Sequence, residues 1–146
     1  MISYDEPYVR YSGEWPTVAE KLGYEYDVDD QDWCYTAARW EDFADYLRLF
    51  VDESENEYVC ITALKLMLEA VENTWDDATL QIERYCAAEL AICAHLELAL
   101  YEVHYWCSWE ANLEDAFRIC PWMRRLWVVL QRDGTVPSDY PRSQYA

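Results

Sequence analysis

Asp27, Asp29 and Gln31 stand at the first, third and fifth positions of a would-be calcium loop, where such a loop supplies oxygen ligands. They belong to the stretch YEYDVDDQDW, which holds the carboxylates Glu25, Asp27, Asp29, Asp30 and Asp32 and no base. The loop fails at two defining points. The sixth position needs glycine and holds Asp32; the twelfth needs glutamate and holds Ala38. A helix start explains part of the stretch instead. Asp29 or Asp30 can cap a helix that begins at Trp33, and Asp32 then sits in its first turn, where the helix dipole favours an anion. Tyr24, Glu25, Tyr26 and Asp27 precede that cap. Tyrosine beside carboxylate suits a protein-binding edge, because tyrosine anchors contacts at low entropy cost.

The thiols and imidazoles carry a weaker signal. His104 and Cys107 can share a helix face, as can Cys86 and Cys93, whereas His95 points away from Cys93. No Cys-x-x-Cys and no Glu-x-x-His occurs, so neither a zinc ribbon nor a di-iron bundle is announced. The six cysteines read as reduced core residues, since no secretory signal precedes the chain and each lies in an apolar helical pattern. With three glycines there is no phosphate-cradling loop, and no serine sits in a nucleophile elbow. No catalytic residue, metal or cofactor is therefore expected, and the reading is non-enzymatic. A metal or redox enzyme using the Cys/His set is the third choice.

Charge is the strongest signal. The chain of 146 residues has a net charge of −18. Residues 1–117 hold 27 acids and six bases, and residues 118–146 hold two acids and five arginines. Such a body repels nucleic acid and anionic membrane and attracts basic protein surfaces. Glu41, Asp45 and Asp52 form a helical row, flanked on one side by Asp27 to Asp32 and on the other by Glu53, Glu55 and Glu57; Asp42 lies beside it. Acids three or four residues apart on a helix recur about every 5–6 Å, against one charge about every 3.4 Å along a DNA strand. A protein that grips phosphates with lysine and arginine would meet this surface as a ligand. In composition and size the chain resembles the DNA-mimic inhibitors that phages and mobile elements direct against restriction or CRISPR effectors, a class of unrelated folds with no residue signature in common. The resemblance implies a basic nucleic-acid-binding complex as partner; the charge argues against direct nucleic-acid binding, and the reduced thiols imply a cytoplasmic location, that of the host cell for a phage-encoded chain. An immunity protein for a basic toxin is the alternative. Two copies could also pair through spare apolar surface.

These residues need an all-α scaffold of four to five helices in one domain spanning 1–146, with a tyrosine-rich irregular arm (1–13) and an irregular tail (135–146). WPTVAEKLG reads as a short helix with Thr17 and Glu20 at capping-box spacing and Gly23 as stop. A second helix is expected from Asp30 to Val51, with Trp33, Ala37, Trp40, Ala44, Leu47 and Val51 on one face. Ser54 and Glu57 have capping-box spacing ahead of a central helix over 55–72 that is apolar almost all round. Thr74 is the expected cap of a helix running toward Trp106, long enough to be broken. Its stretch 86–106 includes Glu89, His95, Glu97, Glu102 and His104, too much charge for a bilayer. Ser108 would cap a helix over 109–119, and Pro121 would open the last one, over 121–131, with a β-hairpin over 126–137 as its rival.

Overall fold

The computed structural model describes residues 14–136, so the expected arm 1–13 and most of the expected tail lie outside the described residues. Seven α-helices and no strand form among them: α1 (Trp15–Leu22), α2 (Trp33–Ala37), α3 (Phe43–Phe50), α4 (Glu57–Glu72), α5 (Ala78–Ala94), α6 (Leu96–Cys107) and α7 (Cys120–Arg132). A 3-10 turn, Trp40–Asp42, leads into α3. The count exceeds the expected four to five because two expected helices are broken.

α4 is the hub. It packs against α1, α2, α3, α5 and α6, and α7 packs against α6. Leu64, Leu66, Met67, Leu68, Ala70 and Val71 are all fully buried, and within this run only Glu69 is partly exposed. Each large side chain buried in this way contributes about 1.5–3 kcal/mol. The reading of this segment as a central helix holds.

The expected helix from Asp30 to Val51 does not form as one piece. Ala38 and Arg39 are extended, with ψ of 129° and 125°. The reason is phase. α3 buries Phe43, Tyr46 and Phe50, and an unbroken helix would carry Thr36 and Arg39 onto that same face. The extended pair resets the phase, leaving Trp40 and Val51 exposed at 50% and 38% rather than in the core. Side chains satisfy the backbone freed by the break. The Arg39 N–H donates to the Tyr46 hydroxyl at 2.8 Å, and the Arg84 guanidinium donates to the Trp40 carbonyl.

The caps differ as well. Asn56, not Ser54, caps α4: its side chain accepts from the Tyr58 N–H at 2.8 Å. The Ser54 N–H and hydroxyl both donate to Asp52 instead. Asp77, not Thr74, caps α5 by accepting from the Leu80 N–H. At α1 the N-cap position is Glu14 without a side-chain bond, so Thr17 caps nothing, while Gly23 closes the helix at φ 72° as expected. Asn56→Ala is expected to lower folding stability by about 1 kcal/mol, and Ser54→Ala by clearly less, which urea unfolding of the two variants would measure.

The stretch from 78 to 107 breaks at His95, whose φ of −136° leaves the helical region and whose ring packs edge-on to Phe50. No described helix is long and apolar enough to cross a membrane. The helix expected over 109–119 is absent. Ser108 adopts φ 46° and closes α6, and Arg124 donates to the carbonyls of Cys107, Ser108 and Ala111, the last two of which such a helix would have used. α7 begins as expected, with Pro121 in its first turn and the Glu72 carboxylate accepting from the Arg118 and Ile119 N–H groups at its start. It runs to Arg132, so no hairpin forms over its span, and Val136 folds back to bury its side chain.

Candidate acidic cleft and a buried ion pair

The expected site residues do not assemble into one surface. Asp52, Glu53 and Glu55, in the loop between α3 and α4, and Glu57, the first residue of α4, line one cleft. Glu97 and His95, from the α5–α6 junction, join them, and Phe50, Val51, Cys60 and Leu98 form its apolar lining. Lys21 pairs with Glu55 at 2.9 Å. The cleft thus sets five carboxylates around an apolar patch, the chemistry that receives a long basic side chain: stem on carbon, charge on oxygen.

Several other residues of the group have structural tasks, whereas Glu25, Asp29 and Glu41 are exposed. The Tyr24 hydroxyl donates to Asp42 and lies 2.5 Å from the Tyr46 hydroxyl. Burial and the Asp42 carboxylate both push the Tyr24 phenol up from its ordinary range. The Arg39 guanidinium sits over the same ring. Tyr26 packs edge-on to Trp33, whose indole N–H donates to the Glu25 carbonyl. Asp27 accepts from the Asp29 N–H, and Asp30 accepts from the Asp32 N–H and the Thr36 hydroxyl, so local turns use these two carboxylates. Asp45 pairs with Arg48. Glu41 lies exposed in the 3-10 turn and Asp52 beyond the end of α3, so the row Glu41–Asp45–Asp52 does not share one helix.

Asp32 belongs to a second cleft, between α1, α2, α4 and α6, of about 100 Å³ and lined by Trp15, Asp32, Cys34, Tyr35, Glu69 and Tyr105 among others. On its floor Lys65 and Glu102 form an ion pair, 8% and 1% exposed. Sequence reasoning passed over these two residues as charges to be counted. The available signal was the setting of Lys65, the one base in the apolar run from Val59 to Leu68. Glu69, one turn from Lys65, is pushed up to about 7, by burial first and then by Glu72 and Glu102, with Lys65 opposing. In the unfolded chain this carboxyl returns to its ordinary range near 4.5. The folded state therefore holds the extra proton between the two values, and stability from this group is lost as pH rises through about 7. His104, held down by burial, acts in the opposite sense below its ordinary value of 6.5. Glu69→Gln isolates the first effect. The variant is expected to match the parent at pH 4, below both values, and to exceed its stability at pH 8 in urea unfolding.

The thiols divide. Cys34, Cys60, Cys107 and Cys120 are buried, and burial pushes Cys34 and Cys107 up to about 12 and Cys60 up to about 11, which fits inert core residues. Cys86 and Cys93 are exposed, contrary to the reading of all six as core. With Ile82 and Leu90 they form an exposed apolar stripe along α5, because α5 buries only the opposite face of Gln81, Tyr85, Ala88 and Ile92. No group of three or more Cys, His, Asp or Glu side chains among the described residues is arranged to hold a metal ion.

No protein-family model matches the chain, and neither the curated proteins nor the solved structures contain a match. A functional reading therefore rests on charge and geometry.

Proposed function

We propose that this protein is an acidic, non-enzymatic inhibitor that offers its carboxylates to the basic nucleic-acid channel of another protein, a defence nuclease complex of the CRISPR or restriction type. One observation carries the reading: five of the nine bases among the described residues are engaged within the fold rather than in neutralising surface acids. Arg84 and Arg124 donate to main-chain carbonyls, Arg39 and Arg118 lie over Tyr24 and Trp75, and Lys65 is buried with Glu102. Among the described residues the ion pairs toward solvent are Lys21–Glu55, Arg48–Asp45 and Arg125–Glu89. Glu53, Glu57 and Glu97 in the acidic cleft have no basic partner among the described residues. A field of this kind raises the rate of encounter with a basic surface and penalises anionic ones.

A second copy would seat on the exposed stripe of α5, which lies outside both clefts. The test of the main reading is affinity capture from a bacterial lysate followed by a salt gradient. A partner held through phosphate-binding lysines and arginines elutes with a steep log–log dependence on salt, as a DNA-bound protein does. A partner retained independently of salt would remove the reading.

A further inference from the structure

We propose that two copies of this chain pair antiparallel through the exposed stripe of α5, with Cys86 on the two-fold axis. The inference stands apart from the preceding one, whose basic partner meets the carboxylates.

The stripe is self-complementary in its spacing. Cys86 is its centre, Ile82 and Leu90 lie four residues to either side, and Thr79 and Cys93 lie seven. At 3.6 residues per turn these five side chains point within about 40° of one direction. All five are exposed, Ile82 at 50% and Leu90 at 76%. Single exposed apolar residues are ordinary on a protein surface, whereas a row of them on one helix face marks a contact. A two-fold axis at Cys86 maps this row onto itself, as a contact between identical surfaces requires. Ile82 of one copy then meets Leu90 of the other, twice by symmetry. Thr79 meets Cys93, also twice, and Cys86 meets its own copy. The small central side chain lets the two helices approach, with an Ile–Leu layer above and below it.

Charge selects a second copy over a basic partner. The chain carries −18 overall, yet from Ala78 to Ala94 only Glu83 and Glu89 are acidic. Arg84 stands in the same helix, and Arg125 of α7 pairs with Glu89 at 3.1 Å. Two acids against two bases leave this face near neutral. Copies can meet here without opposing carboxylates, and a basic surface finds no attraction. The direction follows from the ends. Asp76 and Asp77 are exposed just before α5. A parallel pair would gather these carboxylates from both copies at one end. An antiparallel pair keeps the two sets at opposite ends and opposes the helix dipoles. Sliding the axis toward the C-terminus would set Glu97 of one copy against Thr79 or Ile82 of the other.

Sedimentation velocity of the full chain at rising concentration tests the pairing. A monomer–dimer equilibrium is expected, and it should tighten as salt rises, because salt screens the repulsion between two chains of net charge −18. Salt weakens capture of a basic partner, so the two readings fail separately. Leu90→Glu should weaken the pairing at least a hundredfold, since symmetry sets the new carboxylate against Ile82 twice. Leu90 is 76% exposed, so this variant should unfold in urea as the parent does. A bismaleimide with a two-carbon spacer reads the register. Cys93→Ser should still be cross-linked into a dimer. Cys86→Ser should not, because the two Cys93 thiols then lie about 21 Å apart along the pair. A chain that stays monomeric up to about 1 mM, a dimer that Leu90→Glu leaves intact, or cross-linking of Cys86→Ser at the parent's rate would each overturn the proposal.

Discussion

Glu102→Leu is expected to cost about 3–5 kcal/mol of folding stability, the range found when one member of a buried ion pair is removed. The cause is the ammonium left behind. Lys65 is 8% exposed, so its ammonium is left in a largely desolvated place without the carboxylate that neutralises it. Losing its proton instead is also costly, because a lysine ordinarily titrates near 10.4. Single domains are stable by only about 5–15 kcal/mol in total, so this one change could consume a third or more of the margin. Lys65→Met combined with Glu102→Leu should recover most of the loss, since two apolar side chains of similar volume replace a pair that is costly to desolvate. Urea unfolding of both singles and the double closes the cycle. Additive losses would mean that the two residues do not act as a pair.

The second large effect concerns binding. Glu53→Lys with Glu97→Lys is expected to weaken capture of a basic partner by about a hundredfold at low salt, since each reversal turns an attraction into a repulsion across a short distance. Glu53 lies in the loop before α4 and Glu97 in the first turn of α6, and both line the acidic cleft. Both are exposed, so the fold should survive. Reversal at Asp30 would be a poorer test, because Asp30 holds the Asp32 N–H and the Thr36 hydroxyl. Loss of binding there would mix surface charge with local structure. The measurement is the salt concentration at which the partner elutes from each immobilised variant. Unchanged elution from the Glu53/Glu97 double variant would move the contact away from this cleft.

These two predictions draw on parts of the molecule that differ in how far the amino-acid sequence reveals them. α4 was legible because its apolar residues run all round the cylinder and no other element does the same. The stop at Gly23 and the entry at Pro121 were legible because each rests on one residue's backbone. The break at Ala38 and Arg39 was not, because the stripe from Trp33 to Val51 is a genuine helical period. Only the competing stripe of Phe43, Tyr46 and Phe50 shows which face wins, and that depends on what α4 presents. The caps were misplaced by two and three residues for a related reason: Ser54 and Asn56, and Thr74 and Asp77, are all competent caps, and tertiary contacts choose between them. The Thr74 hydroxyl, for example, donates to the Ala70 carbonyl and accepts from Arg84.

The clefts follow the same division. That Asp52, Glu53, Glu55 and Glu57 share a surface follows from their closeness in the chain. That Glu97 and His95 join them does not, because it requires the break at His95 and the packing of α5 and α6 on α4. Lys65 and Glu102 are separated by 37 residues and meet only through helix packing. The net charge was plain from the start. Which acids stay unneutralised depended on where the arginines went, and among the described residues Arg39, Arg84, Arg118 and Arg124 went to carbonyls and rings.

Displacement by nucleic acid tests the central claim most directly. The immobilised protein is loaded with its captured partner and washed with duplex DNA, then RNA, at constant ionic strength. Occupation of a nucleic-acid channel predicts that one of the two releases the partner at concentrations close to its own affinity for that partner. A partner that remains bound through saturating DNA and RNA, or a column that retains no protein, would contradict the account.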